Sequence, residues 1–385
     1  MLYNSIVAYS LGYSEVEGHR EEIFRCECQA PTLATVQALA ILSSFHSGVA
    51  EQGLSFTYLG IAFTVSRTLC LDGENSSQYS NNLEKNHFSF VLWNLFCLDK
   101  TCSLYVGRRQ NLRPFVTEST YWKISSLTEV GMIRGLFNPI TPVLPEDEAF
   151  VAHVGLMQIA SFIMEFFYSD DGLCRPGIDI AHVEQLSTLI ETWNIHLPAS
   201  LRGDTDDPET ILSIEVIMIK LIFEWMKILL YQPFFQDSTS VTFTSPSFNQ
   251  YGVSGDIYNR ISTLCTRAKL CAPPAAFKIT SLLETFDRQY GLRIIDSAAV
   301  QIAYVAGRMH LLGAIHNPDR RYGGATPGQG VIRCIDILRK IGETWPSGIA
   351  SADRLDDLYR PVHDPREDEV GRMDAGSPPP YPSSK

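Results

Sequence analysis

Basic surface is what this chain has least of. Its 385 residues carry 31 Lys and Arg against 43 Asp and Glu, a formal net charge of −12, and basic pairs such as Arg108-Arg109 and Arg320-Arg321 stand isolated. Attraction to a phosphate backbone needs a local surplus of cations, so no direct DNA contact is expected from this chain. No Cys-x-x-Cys pair occurs among the nine cysteines, and Cys26-Glu-Cys28 is spaced too closely for a structural zinc site. An odd number of scattered cysteines reads as reduced intracellular thiols. No metal or cofactor is expected within the chain.

Catalytic signatures are missing as well. Neither HExxH nor GxSxG is present. Gly323 to Gly330, GGATPGQG, lacks the Lys and Ser/Thr that close a phosphate loop and reads as a plain loop. Asp170-Asp171 follows an apolar run without the further carboxylates of a magnesium site and reads as a capping loop. Asp204, Asp206 and Asp207 read as the start of the following helix. His310 and His316, six apart, fall off a common helical face and read as structural. The N-terminal apolar run lacks a basic flank and a cleavage site, so it reads as a core helix rather than a signal peptide. The longest apolar stretch, Ile211 to Phe235, holds Glu215, Lys220, Glu224 and Lys227. A bilayer penalises each of those charges, whereas Lys220 and Glu224, one turn apart, can pair on a soluble helix. No membrane span is expected.

What the chain does have is helical periodicity at nearly every point, with strand-like alternation only at Val241 to Thr244. Thr32 is a candidate N-cap for a helix with Val36, Leu39, Ala40 and Leu42 on one face. A second helix spans about Phe56 to Leu71, and DGENSSQYSNNLEKN, Asp72 to Asn86, reads as an exposed loop. Phe88 to Val106 is apolar on almost every side and should lie centrally, so its Asp99 and Lys100 need buried partners. Gly107 suits the left-handed position that ends this helix, with Arg108 and Arg109 where the dipole favours cations. Further helices are expected at Glu148 to Tyr168, Ile180 to Trp193, Glu209 to Tyr231, Gly255 to Cys271, Thr280 to Phe286, Ile295 to Ala314 and Val331 to Thr344. The fold class is all-α: one large irregular helical domain of about ten helices over residues 1–359. Residues 360–385 are acidic and Pro-rich, with too little apolar surface to offset ordering, and are expected to be a disordered tail. Within that tail Pro378, Pro379 and Tyr381 fit the PPxY pattern read by WW domains.

Taken in order, three segments carry a resemblance. They are TVQALAIL at Thr35 to Leu42, YLGIAFTVSRTLCLD at Tyr58 to Asp72, and LWNLFCLDKTCSLYVGRR at Leu92 to Arg109. Together they resemble the middle homology region of fungal binuclear zinc cluster transcription factors. LIETWNIHLPASL at Leu189 to Leu201 and IFEWMKILLYQPFF at Ile222 to Phe235 follow in the same order. The positions that match are Gln37, Trp93, Asp99, Lys100, Gly107 and Arg108. Lys100 stands where the family commonly has Arg, and Arg109 where it usually has Pro. The opening of the region looks clipped, and the six-cysteine cluster that precedes it in the family is not in this chain.

The resemblance implies a nuclear regulatory body controlling metabolic or biosynthetic genes, with zinc and DNA recognition belonging to a cluster outside this chain. It also implies partners of three kinds: a second copy, other transcription regulators, or a small-metabolite effector. Two alternatives stand beside it. One is a cluster-less co-regulator or decoy acting by protein association; the other is a metabolite-binding or isoprenoid-type helical enzyme.

Overall fold

The computed structural model describes residues 29, 31–69, 82–106, 110–111, 145–168, 180–203, 211–235 and 255–363. Eleven α-helices lie in that span: α1 (Leu33–Gly48), α2 (Gln52–Thr68), α3 (Asn82–Val106), α4 (Pro145–Tyr168), α5 (Ile180–Ile195), α6 (Ala199–Arg202), α7 (Ile214–Tyr231), α8 (Gly255–Tyr290), α9 (Ala298–His316), α10 (Pro327–Ile341) and α11 (Ser347–His363). Among the described residues there is no strand, only an isolated bridge between Tyr322 and Ala325. The all-α expectation holds. The N-terminal run, Val241 to Thr244, Cys26, Cys28, Asp170 and Asp171 lie outside the described residues.

Helix α3 divides two apolar cores. On one side Val91, Leu95 and Cys102 join Leu33, Val36 and Leu39 of α1 and Leu59, Ala62 and Phe63 of α2. On the other Trp93, Phe96, Cys97 and Leu104 enter the larger core built by α4 to α11. The two sets alternate at helical spacing, so one helix feeds both cores. The central placement that its composition calls for is met on these two faces, while Phe90 and Asn94 leave a strip exposed. The helix begins at Asn82, inside the stretch expected to be loop, because a helix buried on both sides recruits its polar first turn by cooperative extension. Thr32 caps α1 as expected, accepting from the Thr35 N–H while Thr35 Oγ1 accepts from the Thr32 N–H.

Within the larger core, α7 packs against α4, α5, α8 and α9, and most of its 18 residues are buried. It starts at Ile214, capped by Ser213 Oγ, rather than at Glu209. The acidic run at Asp204 to Asp207, outside the described residues, therefore does not cap it. Glu224 pairs with Lys227 at 2.9 Å, not with Lys220, whose Nζ donates to the Gly203 carbonyl at 3.0 Å.

The second departure from the sequence reading is α8. Pro273 and Pro274 suggest a break, yet one helix of 36 residues runs through them. Each proline removes a backbone donor and costs about 3 kcal/mol inside a helix. The buried stripe Leu264, Ala268, Ala272, Ala275, Ile279, Leu282 and Phe286 continues without interruption across that point. At about 25 cal/mol per Å2 of apolar surface removed from water, such a stripe outweighs the local penalty.

Helices α9, α10 and α11 pack together at the C-terminal end. The Gly-rich stretch is not a plain loop: Thr326 and Gln329 form a capping box and α10 begins at Pro327. Gly330, in its first turn, lies against the His310 ring, which a Cβ would approach to 2.6 Å. Helix α11 was not expected, and it carries helical structure four residues past Tyr359, into the segment assigned to the tail.

His310 is buried, and its Nε2 lies 3.0 Å from Thr280 Oγ1, which itself donates to the Ala276 carbonyl. The geometry makes the imidazole the donor at Nε2 and fixes the neutral tautomer. Burial, with the Arg333 charge adding to it, pushes the His310 pKa down to about 3. The unfolded chain binds a proton near the ordinary 6.5 while the folded chain does not. The stability is thus complete above pH 6.5 and is lost as pH falls from there toward 3. Between pH 7 and pH 5 this one group should cost about 2 kcal/mol. Urea titrations should show the wild type losing that much more stability over this interval than His310→Gln; equal losses would refute the assignment.

Candidate functional site

The residues singled out by sequence converge on the second half of α3. Trp93 is buried in the larger core with its ring edge-on to Phe96, centroids 5.4 Å apart. Asp99 and Lys100 are both wholly inaccessible. Lys100 Nζ donates to Asp99 Oδ2 at 2.9 Å and sits 4.4 Å from the centre of the Phe96 ring. The other carboxylate oxygen, Asp99 Oδ1, accepts two bonds from Asn111, one from its backbone N–H and one from Nδ2, each 3.0 Å. Burial pushes the Lys100 pKa down, and the adjoining Asp99 carboxylate opposes that shift.

Gln110 extends the arrangement to α4. Ser161 Oγ donates to Gln110 Oε1 at 2.6 Å, and Gln110 Nε2 donates to the Ser161 carbonyl at 3.3 Å. A buried ion pair on α3 thus holds the chain that leaves the helix, and that chain is tied in turn to the next helix. This is positioning chemistry. Both carboxylate oxygens are engaged, and the neighbouring Cys97 thiol is pushed up to about 12 by burial, with the Lys100 charge opposing, so no reactive thiolate forms there.

Gln37 stands apart from this node, half-buried on α1. Gly107 and Arg108, and Pro378, Pro379 and Tyr381 of the tail, lie outside the described residues. Sequence reasoning did not find Gln110, Asn111 or Ser161, because a polar pair beyond a helix end carries no signal until the fold brings it back onto the helix.

The second feature of note is a cleft of about 420 Å3 between the end of α5, α6 and the middle of α7. Trp193 and Phe223, which both line it, stack on each other with centroids 5.6 Å apart and planes inclined by 22°. Arg202 lies at its edge, with Nε donating to the Leu197 carbonyl at 2.9 Å and Nη2 to the Ile195 carbonyl at 2.8 Å. Lys220 also lines it. Arg202 thus satisfies carbonyls at and just past the end of α5, and Lys220 the Gly203 carbonyl that follows α6. Among the described residues no group of three or more His, Cys, Asp or Glu side chains is placed to hold a metal.

Helices α4 and α9 contain windows long and apolar enough to cross a membrane, Glu148–Phe167 and Ala298–His316, but most of each is buried within the fold.

Removing Asp99 should take the carboxylate away from the buried Lys100 ammonium and from the Asn111 amide. Asp99→Ala is expected to lower stability by about 3–5 kcal/mol, and the double change Asp99→Leu with Lys100→Met to recover most of that loss. Urea midpoints measure both; an unchanged midpoint for the single variant would show that the node does not support the fold.

Comparison with known proteins gives this arrangement a context. Residues 7–172 match the fungal specific transcription factor domain. Over 328 residues, 81% of this chain, the sequence is 26% identical to the nitrogen assimilation transcription factor nirA of Emericella nidulans, covering 33% of that protein. Over 339 residues, 83% of this chain, it is 22% identical to the nitrogen assimilation transcription factor nit-4 of Neurospora crassa, covering 27% of that protein. The chain therefore spans about a third or less of the length of the curated relatives it matches. No solved structure matches it.

Proposed function

We propose that this chain, which carries a fungal specific transcription factor domain, is the regulatory body of a nuclear transcription regulator. The observation that carries the reading is the extent of the similarity to both nitrogen assimilation factors, which reaches well past the matched domain and across four-fifths of the chain. The node around Asp99 and Lys100 supports it, because a body that relays a state between partners needs its segments held in fixed register rather than a reactive centre. Zinc and base recognition belong to a cluster outside these residues, and the body itself works without catalysis. Its net charge of −12 suits contact with basic or neutral protein surfaces and disfavours duplex DNA. Control of genes for nitrogen or other metabolic pathways, in association with a second copy or other regulators, is the corresponding biological role.

The direct test joins the full chain to an unrelated DNA-binding domain and follows a reporter that carries the cognate site. Reporter output should move up or down by several-fold relative to the DNA-binding domain alone, while the unfused chain should give no sequence-specific DNA mobility shift. No change in output, or a specific shift by the unfused chain, would overturn the assignment.

The PPxY pattern in the tail adds one partner class. A peptide covering Gly376 to Ser384 should bind a WW domain more tightly than millimolar, and Tyr381→Ala should abolish it, as read by fluorescence titration.

A further inference from the structure

The cleft between α5, α6 and α7 combines apolar walls with cationic side chains. In a chain of net charge −12, the described residues lining it include two cations, Arg202 and Lys220, and no carboxylate. Glu224, the nearest acid along α7, is committed to Lys227 at 2.9 Å. Arg202 uses Nε and one Nη2 hydrogen on the Ile195 and Leu197 carbonyls. A guanidinium has five N–H donors in a planar fork, so these two bonds leave three unused on a side chain that lines the cleft. Because those two bonds already fix its plane, little side-chain entropy is left to lose when an anion docks.

Away from the cations the walls are apolar: the stacked Trp193 and Phe223, the buried Ile219, and Ile195, which is 66% exposed at the mouth. The volume of about 420 Å3 falls in the range of small-molecule sites and far exceeds what a bare inorganic anion fills. An apolar hollow with cationic donors on its edge matches a ligand that is apolar at one end and anionic at the other.

We propose that this cleft binds a small organic carboxylate with a flat or branched apolar body, the carboxylate at Arg202 and the body against Trp193 and Ile219. The inference deepens the regulatory reading by giving it an effector class, and it rests on that reading for its biological meaning only.

The probe is 1-naphthoate, titrated calorimetrically into the full chain, with 1-naphthylmethanol as the uncharged control and sodium nitrate as the inorganic one. Naphthoate should saturate one site below millimolar. The alcohol should bind about ten-fold more weakly or worse, since a charge-assisted contact is lost, and nitrate should not compete at equal concentration. Arg202→Gln should weaken naphthoate by about ten-fold. Because Arg202 also holds carbonyls at the end of α5, Ile195→Glu is the second variant: it leaves those bonds in place and sets a carboxylate at the mouth. It should abolish binding while the urea midpoint stays unchanged. Absence of heat at millimolar naphthoate, equal affinity for acid and alcohol, displacement by nitrate, or undiminished binding by Ile195→Glu would each overturn the site. Loss of the site with reporter control intact leaves the regulatory reading standing; binding with no reporter control does the reverse.

Discussion

Helix α3 is the constraint on which the rest of the structure depends. It faces two cores at once, the α1 and α2 layer through Val91, Leu95 and Cys102 and the larger body through Trp93, Phe96 and Cys97. A helix wedged between two cores cannot shift along its axis without disturbing packing on both sides, since protein interiors are close-packed and transmit strain. Burying Asp99 and Lys100 in such a helix adds a second kind of constraint. Two charges removed from water tolerate only the geometry in which they meet each other and their remaining partners. Asn111 and Ser161 therefore fix where the chain goes after α3, and the apolar contacts alone do not specify that.

The layer formed by α1 and α2 is also held from the far end of the chain. Gly48, at the last turn of α1, lies so close to the Trp345 ring that a Cβ there would collide with it, and Trp345 Nε1 donates to the Ile295 carbonyl at 2.8 Å. First and last described helices thus meet around one indole. Ion pairs continue across the C-terminal helices, with Arg333 on Glu284 and Lys340 on Asp287 linking α10 to α8. Exposed pairs of this kind contribute little each. Their role is to select one docking of α10 over its alternatives, while Val331, Cys334 and Leu338 supply the burial.

Much of this was legible in the sequence, and the failures have physical causes. The all-α class, the central place of α3 and the Thr32 cap followed from periodicity and capping chemistry. The partner of Asp99 was harder to see. Residues at i and i+1 point away from each other on a helix, yet the long Lys100 side chain folds back to Asp99. Helix α8 was read as broken because proline rules are local, whereas the stripe from Leu264 to Phe286 that holds it together is set by α7 and α9. The start of α10 was hidden by glycines whose purpose is close approach to His310 and Tyr359. Helix α11 was missed because SGIASADRLDDLYRPVH carries few apolar residues, of which Ala352 and Leu355 are buried. The cleft was out of reach in principle. Its lining joins Trp193 to Phe223, thirty positions on, and Arg202 earns notice only when the end of α5 is seen to be a set of carbonyls that it satisfies.

The cleft and the larger core share helix α7, and that bears on how a small ligand could influence a large body. Ile219 and Phe223 face the cleft, while Ile217, Leu221 and Met226 of the same helix are wholly within the larger core. A ligand can shift an equilibrium between two arrangements only by the difference in its affinity for them. Contacts on an exposed loop give little such difference, because the loop moves without resistance. Contacts that span the end of α5 and the middle of α7 give more, because any change in how those helices dock alters the cleft and is resisted by α4, α8 and α9 packed behind α7. The rigid core is then the lever rather than an obstacle: it converts a sub-ångström preference at the cleft into a preference between whole packings. The Asp99 and Lys100 node completes this argument from the other side of the body, since it binds α3 to α4, and α4 packs directly on α7.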